Sequence, residues 1–186
     1  MDKKLIVRIS NEIGNQLFMY ASTFAITKKL NRELLIDNET AYLSKKNISK
    51  YGLNNFNISS KIANEKFKFL GIKGYFKRKI LKFINNMNSN KIFFIEPKNS
   101  DKITCYNEDV FNQTLAKNLY IEGYFESEKY FENIKNEILN ELTFVNKEIY
   151  KKTPYYIKLN VSHSVSICLR QNRFMEGKRN NNLQNK

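Results

Sequence analysis

The sequence predicts an α/β domain built on a parallel sheet, and its opening carries the prediction. A β-branched run, Leu5 to Ser10, is broken by Asn11-Glu12-Ile13-Gly14. From Asn15 the apolar residues Leu17, Phe18, Ala21, Ala25, Ile26 and Leu30 recur at mostly three- and four-residue steps, the spacing of one helix face. Asn31-Arg32 ends that pattern before a second β-type run, Glu33 to Asp37. A strand, a helix and a second strand normally close as a right-handed crossover between parallel strands.

The remaining elements follow in order. Asn55 to Ser59 reads as a strand, Lys61 to Leu70 and Tyr75 to Met87 as helices, and Lys91 to Glu96 as a strand stopped by Pro97. In Arg78 to Ile84 basic and apolar residues interleave at helical spacing, which invites a membrane-surface or RNA-binding reading and leaves a membrane attachment helix open, but the preferred reading turns the apolar side inward and the lysines outward, as in an ordinary globular domain. Leu119 to Phe125 reads as a strand ending near Gly123. Ser127 offers an N-cap to a helix from Glu128 to Leu142, whose Phe131, Ile134, Ile138 and Leu142 form one inward stripe. Ser164 to Leu169 alternates polar and apolar residues like a strand, and the tail after Met175 reads as disordered.

Composition limits the functional classes. The 186 residues can bury a core without disulfides. Cys105 and Cys168 lie far apart and His163 is the single histidine, so the usual metal-ligand clusters cannot be assembled; a reducing, cytoplasmic setting is expected. No apolar run is long enough to span a bilayer. The net charge of +14 favours anionic partners. The excess is mostly lysine, with six arginines, and no aromatic-basic RNA-binding motif accompanies it, so no nucleic-acid partner is expected.

The strand-loop-helix start has chemical meaning, because a helix N-terminus presents free N–H groups suited to phosphate or sugar-phosphate. Gly14, Asn15 and Gln16 sit there. Gly14 would permit close backbone approach or a positive φ, and the two amides offer donors and acceptors.

The string Ile13-Gly-Asn-Gln-Leu-Phe-Met-Tyr-Ala21 resembles the opening signature of the α-1,2-fucosyltransferases of glycosyltransferase family 11, and Glu122-Gly-Tyr-Phe-Glu-Ser-Glu-Lys-Tyr-Phe131 resembles a second segment of that family in the expected order. Ser164 to Phe174 is similar to a third, in which an arginine at the position of Arg170 holds the donor diphosphate. Cys168, Gln171, Asn172 and Arg173 stand where that motif has histidine, arginine, glycine and an acidic residue, with Arg173 adding a nearby positive charge. Asn11-Glu12 replaces two glycines of the opening loop.

The resemblance implies a Rossmann-like N-terminal domain of a GT-B-like two-domain enzyme, with residues 1–160 as that domain. It further implies that residues 161–186 are the first strand of the nucleotide-sugar domain plus a tail, so that the chain is C-terminally truncated. The implied reaction moves fucose from GDP-fucose to a galactoside hydroxyl in surface glycan synthesis without a metal cofactor. Arg170, Arg173, Gly14, Asn15 and Gln16 would bind the donor. The catalytic base is not named by the pattern; His163 reads as structural or exposed, and Glu126 and Glu128 are candidates. The expected partners are GDP-fucose, a glycan acceptor and, peripherally, the inner face of a membrane. The alternative is a non-catalytic remnant that serves at most as an acceptor-binding or structural domain.

Overall fold

The computed structural model describes residues 3–43, 49–87, 91–98, 105–112, 116–161, 163 and 165. The chain divides into two compact units, Met1–Val145 and Asn146–Lys186.

The first unit is a mixed α/β structure around a five-stranded, all-parallel sheet. The strands are β1 (Lys4–Arg8), β2 (Glu33–Asp37), β3 (Lys61–Ile62), β4 (Phe93–Ile95) and β5 (Asn118–Glu122), in the order β3-β2-β1-β5-β4. The all-parallel sheet is consistent with a Rossmann-like domain, with β5 rather than β4 beside β1. In the central strand Leu5, Ile6 and Val7 are all buried, because both sheet faces are covered. β1 pairs with β2 from Lys4↔Glu33 to Arg8↔Asp37, and with β5 from Lys4↔Asn118 to Val7↔Ile121.

Alternation sorts the side chains into two cores. Leu5, Val7, Leu34, Ile36, Leu119 and Ile121 pack with Met19, Tyr20 and Ile26 of α1 (Ile13–Leu30). On the opposite face Ile6, Leu35 and Ala63 form a smaller cluster with Phe67 and Tyr120. Beside it the Phe93 ring lies 5.0 Å from Tyr120 and 5.8 Å from Phe69. The α1 helix ends as expected at Asn31, which takes a left-handed φ of 49° and returns its N–H to Thr27 and Lys28 carbonyls.

Several expected elements differ. Residues 55–59 are not a strand: Phe56 makes one antiparallel bridge to Phe144, their rings stacked at 4.7 Å. The helix expected over Lys61 to Leu70 is instead β3, which extends the sheet beside β2, followed by a 3-10 turn at Glu65–Phe67. Pairing with the β2 edge and burial of Phe69 prevail over helical spacing. The helix α2 begins at Gly71, before Tyr75, and runs to Met87.

The helix expected from Glu128 starts as two 3-10 turns, Glu128–Tyr130 and Glu132–Ile134, and becomes α3 only over Lys135–Glu141. Ser127 supplies no side-chain cap. The Tyr130 ring is seated 5.5 Å from Phe125, and its hydroxyl accepts from the Asn107 N–H at 2.9 Å, fixing the chain before a regular helix can form. The inward stripe survives, with Ile138 buried and Phe131, Ile134 and Leu142 half-buried.

The largest reversal concerns α2. Gly74, Arg78, Leu81, Lys82 and Asn85 face the protein, whereas Ile72, Phe76, Ile80, Phe83, Ile84 and Met87 are exposed. The expected apolar-inward orientation is therefore wrong. Asn85 accepts from the Ile92 and Phe93 N–H groups, each at 2.8 Å, and donates to the Phe93 carbonyl at 3.0 Å. Arg78 and Lys82 bind Glu122 at the end of β5. These polar bonds select the inward face against the hydrophobic pattern.

In the second unit α4 (Lys147–Lys151) and α5 (Pro154–Asn160) were not anticipated. Thr153 caps α5, accepting from the Tyr156 N–H at 3.3 Å, and Pro154 occupies its first turn. Among the described residues no helix is long and apolar enough to cross a membrane.

Candidate functional site

In an open parallel sheet, ligands bind outside the carboxyl ends of the strands, where the winding direction reverses. Here the chain leaves β1 toward β2 on one side, while β5 and β4 occupy the other. At that edge the five strands end in Arg8, Asp37, Ile62, Ile95 and Glu122. Three of these five are charged.

Glu122, 9% exposed, is surrounded by cations. Arg78 Nε donates to Glu122 Oε1 at 2.7 Å, Arg78 and Lys82 both reach Oε2, and Arg8 Nε lies 3.7 Å from Oε1. Burial alone would raise the Glu122 carboxyl, but the hydrogen bonds from Arg78 and Lys82 and the nearby charges outweigh it and hold it below the ordinary range. Burial lowers both Arg8 and Lys82, against the pull of Glu122. Asp37 is the other acid near Arg8, yet its Oδ1 already accepts from Glu39 N–H at 3.1 Å and Thr40 N–H at 2.9 Å. Arg8 Nε is buried without a hydrogen-bond partner. Counting both acids, the three cations leave a positive surplus.

The loop after β1 bends at Asn11, whose φ of 63° is left-handed, whereas Gly14, read as permitting close approach or a positive φ, is not among the positive-φ glycines. Glu12, at the N-cap, gives α1 no side-chain cap hydrogen bond, and no acid stands in the first turn, so the first amides are left without a side-chain acceptor from the cap. Gly14 is exposed, and a Cβ there would meet nothing within 4 Å. The fold itself makes no demand for glycine at this position.

Asn15 Nδ2 donates to Glu126 Oε1 at 2.7 Å, and Ser22 Oγ donates to the Phe125 carbonyl at 3.0 Å. The two segments that carry the sequence resemblance, more than a hundred residues apart, therefore meet. Gln16 behaves differently from a ligand-facing amide. It is fully buried; Nε2 donates to the Asn11 and Lys50 carbonyls at 2.7 and 2.8 Å, and Oε1 accepts from the Gly52 N–H at 2.8 Å. Its side chain holds the loop in place.

Behind β5, Glu96 is 5% exposed, and its Oε2 accepts from the Tyr124 and Phe125 N–H groups at 2.7 and 2.9 Å. Burial pushes this carboxyl up, against the two backbone hydrogen bonds. The Gly123 backbone passes so close that a Cβ would lie 2.4 Å from the Glu96 Cβ. Gly123 thus serves packing, while Gly14 does not.

The cation cluster was missed in the sequence. The available signal was Arg8 and Glu122 as charged last residues of strands with apolar centres, together with Arg78, one of only six arginines. His163 and Glu128 are exposed. Arg170, Arg173 and Cys168, with the third motif around them, lie outside the described residues. Two clefts of about 270 and 170 Å³ are lined instead by the C-terminal half of α1, away from the carboxyl edge. Compared with known proteins, this chain matches no family model, no curated protein and no solved structure.

Proposed function

We propose that the first unit is the N-terminal half of a GT-B-like fucosyltransferase that uses GDP-fucose and a galactoside hydroxyl in surface glycan synthesis. The observation that carries the reading is the meeting of residues 13–21 with residues 122–131 at the switch point, through Asn15–Glu126, with the adjoining Ser22 bonded to the Phe125 carbonyl. In the proposed reaction the acceptor oxygen bonds to the fucose anomeric carbon as the bond to the diphosphate breaks, with inversion. The acceptor proton passes to a carboxylate, for which Glu126 and Glu128 are the exposed candidates in the second motif, and negative charge grows on the leaving GDP. The uncapped start of α1 and the cation surplus at Arg8, Arg78 and Lys82 suit that charge without a metal ion.

Thermal unfolding with and without GDP-fucose tests the reading. A ligand that binds only the native state at a hundredfold its Kd adds about 2.7 kcal/mol. The wild-type midpoint is expected to rise. Gly14→Ala is expected to keep or gain stability by up to about 1 kcal/mol, because alanine suits a helix turn and its Cβ has room. The same variant is expected to lose the GDP-fucose shift, because that Cβ would project into the space the diphosphate approaches. A cooperative transition indifferent to GDP and GDP-fucose would reject donor binding and leave a folded acceptor-binding or structural domain.

A further inference from the structure

We infer that α2 is an interfacial anchor that lies along the surface of an anionic lipid bilayer. The inference stands on the geometry of this helix and does not depend on the donor reading.

The helix is inside-out. Its protein-facing side consists of Gly74, Arg78, Leu81, Lys82 and Asn85, whereas Ile72, Phe76, Ile80, Phe83, Ile84 and Met87 are between 40% and 78% exposed. Ile72, Phe76, Ile80, Phe83 and Met87 follow one another at steps of four, four, three and four, so they share one face along the whole helix. Seventeen residues at 1.5 Å each make a stripe about 25 Å long. Soluble surfaces rarely leave so continuous an apolar strip to water.

Charge selects the occupant. The α2 segment holds Lys73, Lys77, Arg78, Lys79 and Lys82 and no acid. Arg78 and Lys82 turn inward to Glu122, while the exposed Lys73, Lys77 and Lys79 flank the stripe. An apolar face whose only exposed charges are lysines, with aromatic side chains in it, is the composition of a helix that sinks into the headgroup boundary of an anionic membrane. A second copy of the chain would set these lysine rows and two charges of +14 against each other. Burial among lipid headgroups instead matches both the apolar and the cationic parts.

The stripe is also presented rigidly. The Arg78 and Lys82 pairs to Glu122, the Asn85 bonds to the strand segment at residues 92–93 and the close approach of Gly74 to the Phe69 backbone fix the inward side. No ordering of the helix is needed on contact. Since no described helix is apolar enough to cross a bilayer, the contact is with one leaflet.

The experiment is sedimentation of the full chain with vesicles of phosphatidylcholine alone and of phosphatidylcholine mixed with phosphatidylglycerol. Binding is expected to the mixed vesicles and to weaken with salt. Ile80→Asn combined with Phe83→Asn is expected to reduce it by roughly tenfold or more without lowering the thermal midpoint, because both side chains are solvent-exposed. Lys73→Glu combined with Lys77→Glu and Lys79→Glu should also reduce it. Undiminished binding by the asparagine variant would show adsorption of a basic protein by charge alone and overturn the proposal. So would absence of binding to mixed vesicles, or a dimer in solution that the asparagine variant dissolves.

Discussion

Glu122→Leu is expected to lower the unfolding free energy by about 3 kcal/mol, read from the urea midpoint at neutral pH. The carboxylate is the shared partner of Arg78, Lys82 and Arg8, and removing it leaves three cations together at the end of the sheet. The cost falls at the lower end of the range for broken buried pairs, because Arg8, Arg78 and Lys82 keep 26%, 19% and 25% of their side-chain surface in water. The same residue predicts a pH dependence. Its folded carboxyl is held below its unfolded value, so its contribution is present above the unfolded pKa of about 4.3 and is lost as pH falls through the folded value. Acid unfolding of the wild type should therefore steepen below about pH 4, and the leucine variant should lose that share of the slope. A variant as stable as the wild type at neutral pH would show that the cations need no common counter-ion.

Gly123→Ala should cost about 3 kcal/mol or more. The added Cβ would lie 2.4 Å from Glu96 Cβ, 2.7 Å from Glu96 Oε2 and 2.9 Å from the Phe125 ring. None of these can move freely, because Glu96 is held by the Tyr124 and Phe125 N–H groups and Phe125 is fully buried. Separation from β4 or loss of both hydrogen bonds would follow. Paired with the tolerated Gly14→Ala, the variant distinguishes a glycine required by packing from one whose reason lies outside the protein. Equal midpoints for the two variants would contradict that division.

What was legible in the sequence was the sheet and its first crossover. β1, α1, β2, β4 and β5 fall where β-branched runs and helical spacing place them, because each is dominated by the burial its pattern encodes. The edge elements were obscure for a different reason. Lys61–Ile62 is a strand only because the β2 edge is available to it, and the segment after Ser127 is broken into 3-10 turns by where Tyr130 must sit. The orientation of α2 was misread because periodicity tells which residues share a face but not which face is buried. Arg78 and Lys82 turn inward for Glu122, a partner forty or more residues away. At the site, the sequence singled out Asn15 and Glu126 individually, but their hydrogen bond depends on the crossover that brings β5 beside β1.

The order of the strands has a consequence for synthesis. The centre of the sheet is β1, and on one side its partner is β2, which follows after a single helix, but on the other side it waits for β5, with Val7 paired to Ile121. At a translation rate of roughly 5–20 residues per second, the second edge of β1 stays unclaimed for on the order of 10 s after β1 itself is made. Throughout that interval Leu5, Ile6 and Val7, which end fully buried, form an open template for any other strand, as well as for β5. A nascent chain of this topology is thus most open to mispairing at the free edge of β1 until β5 is made.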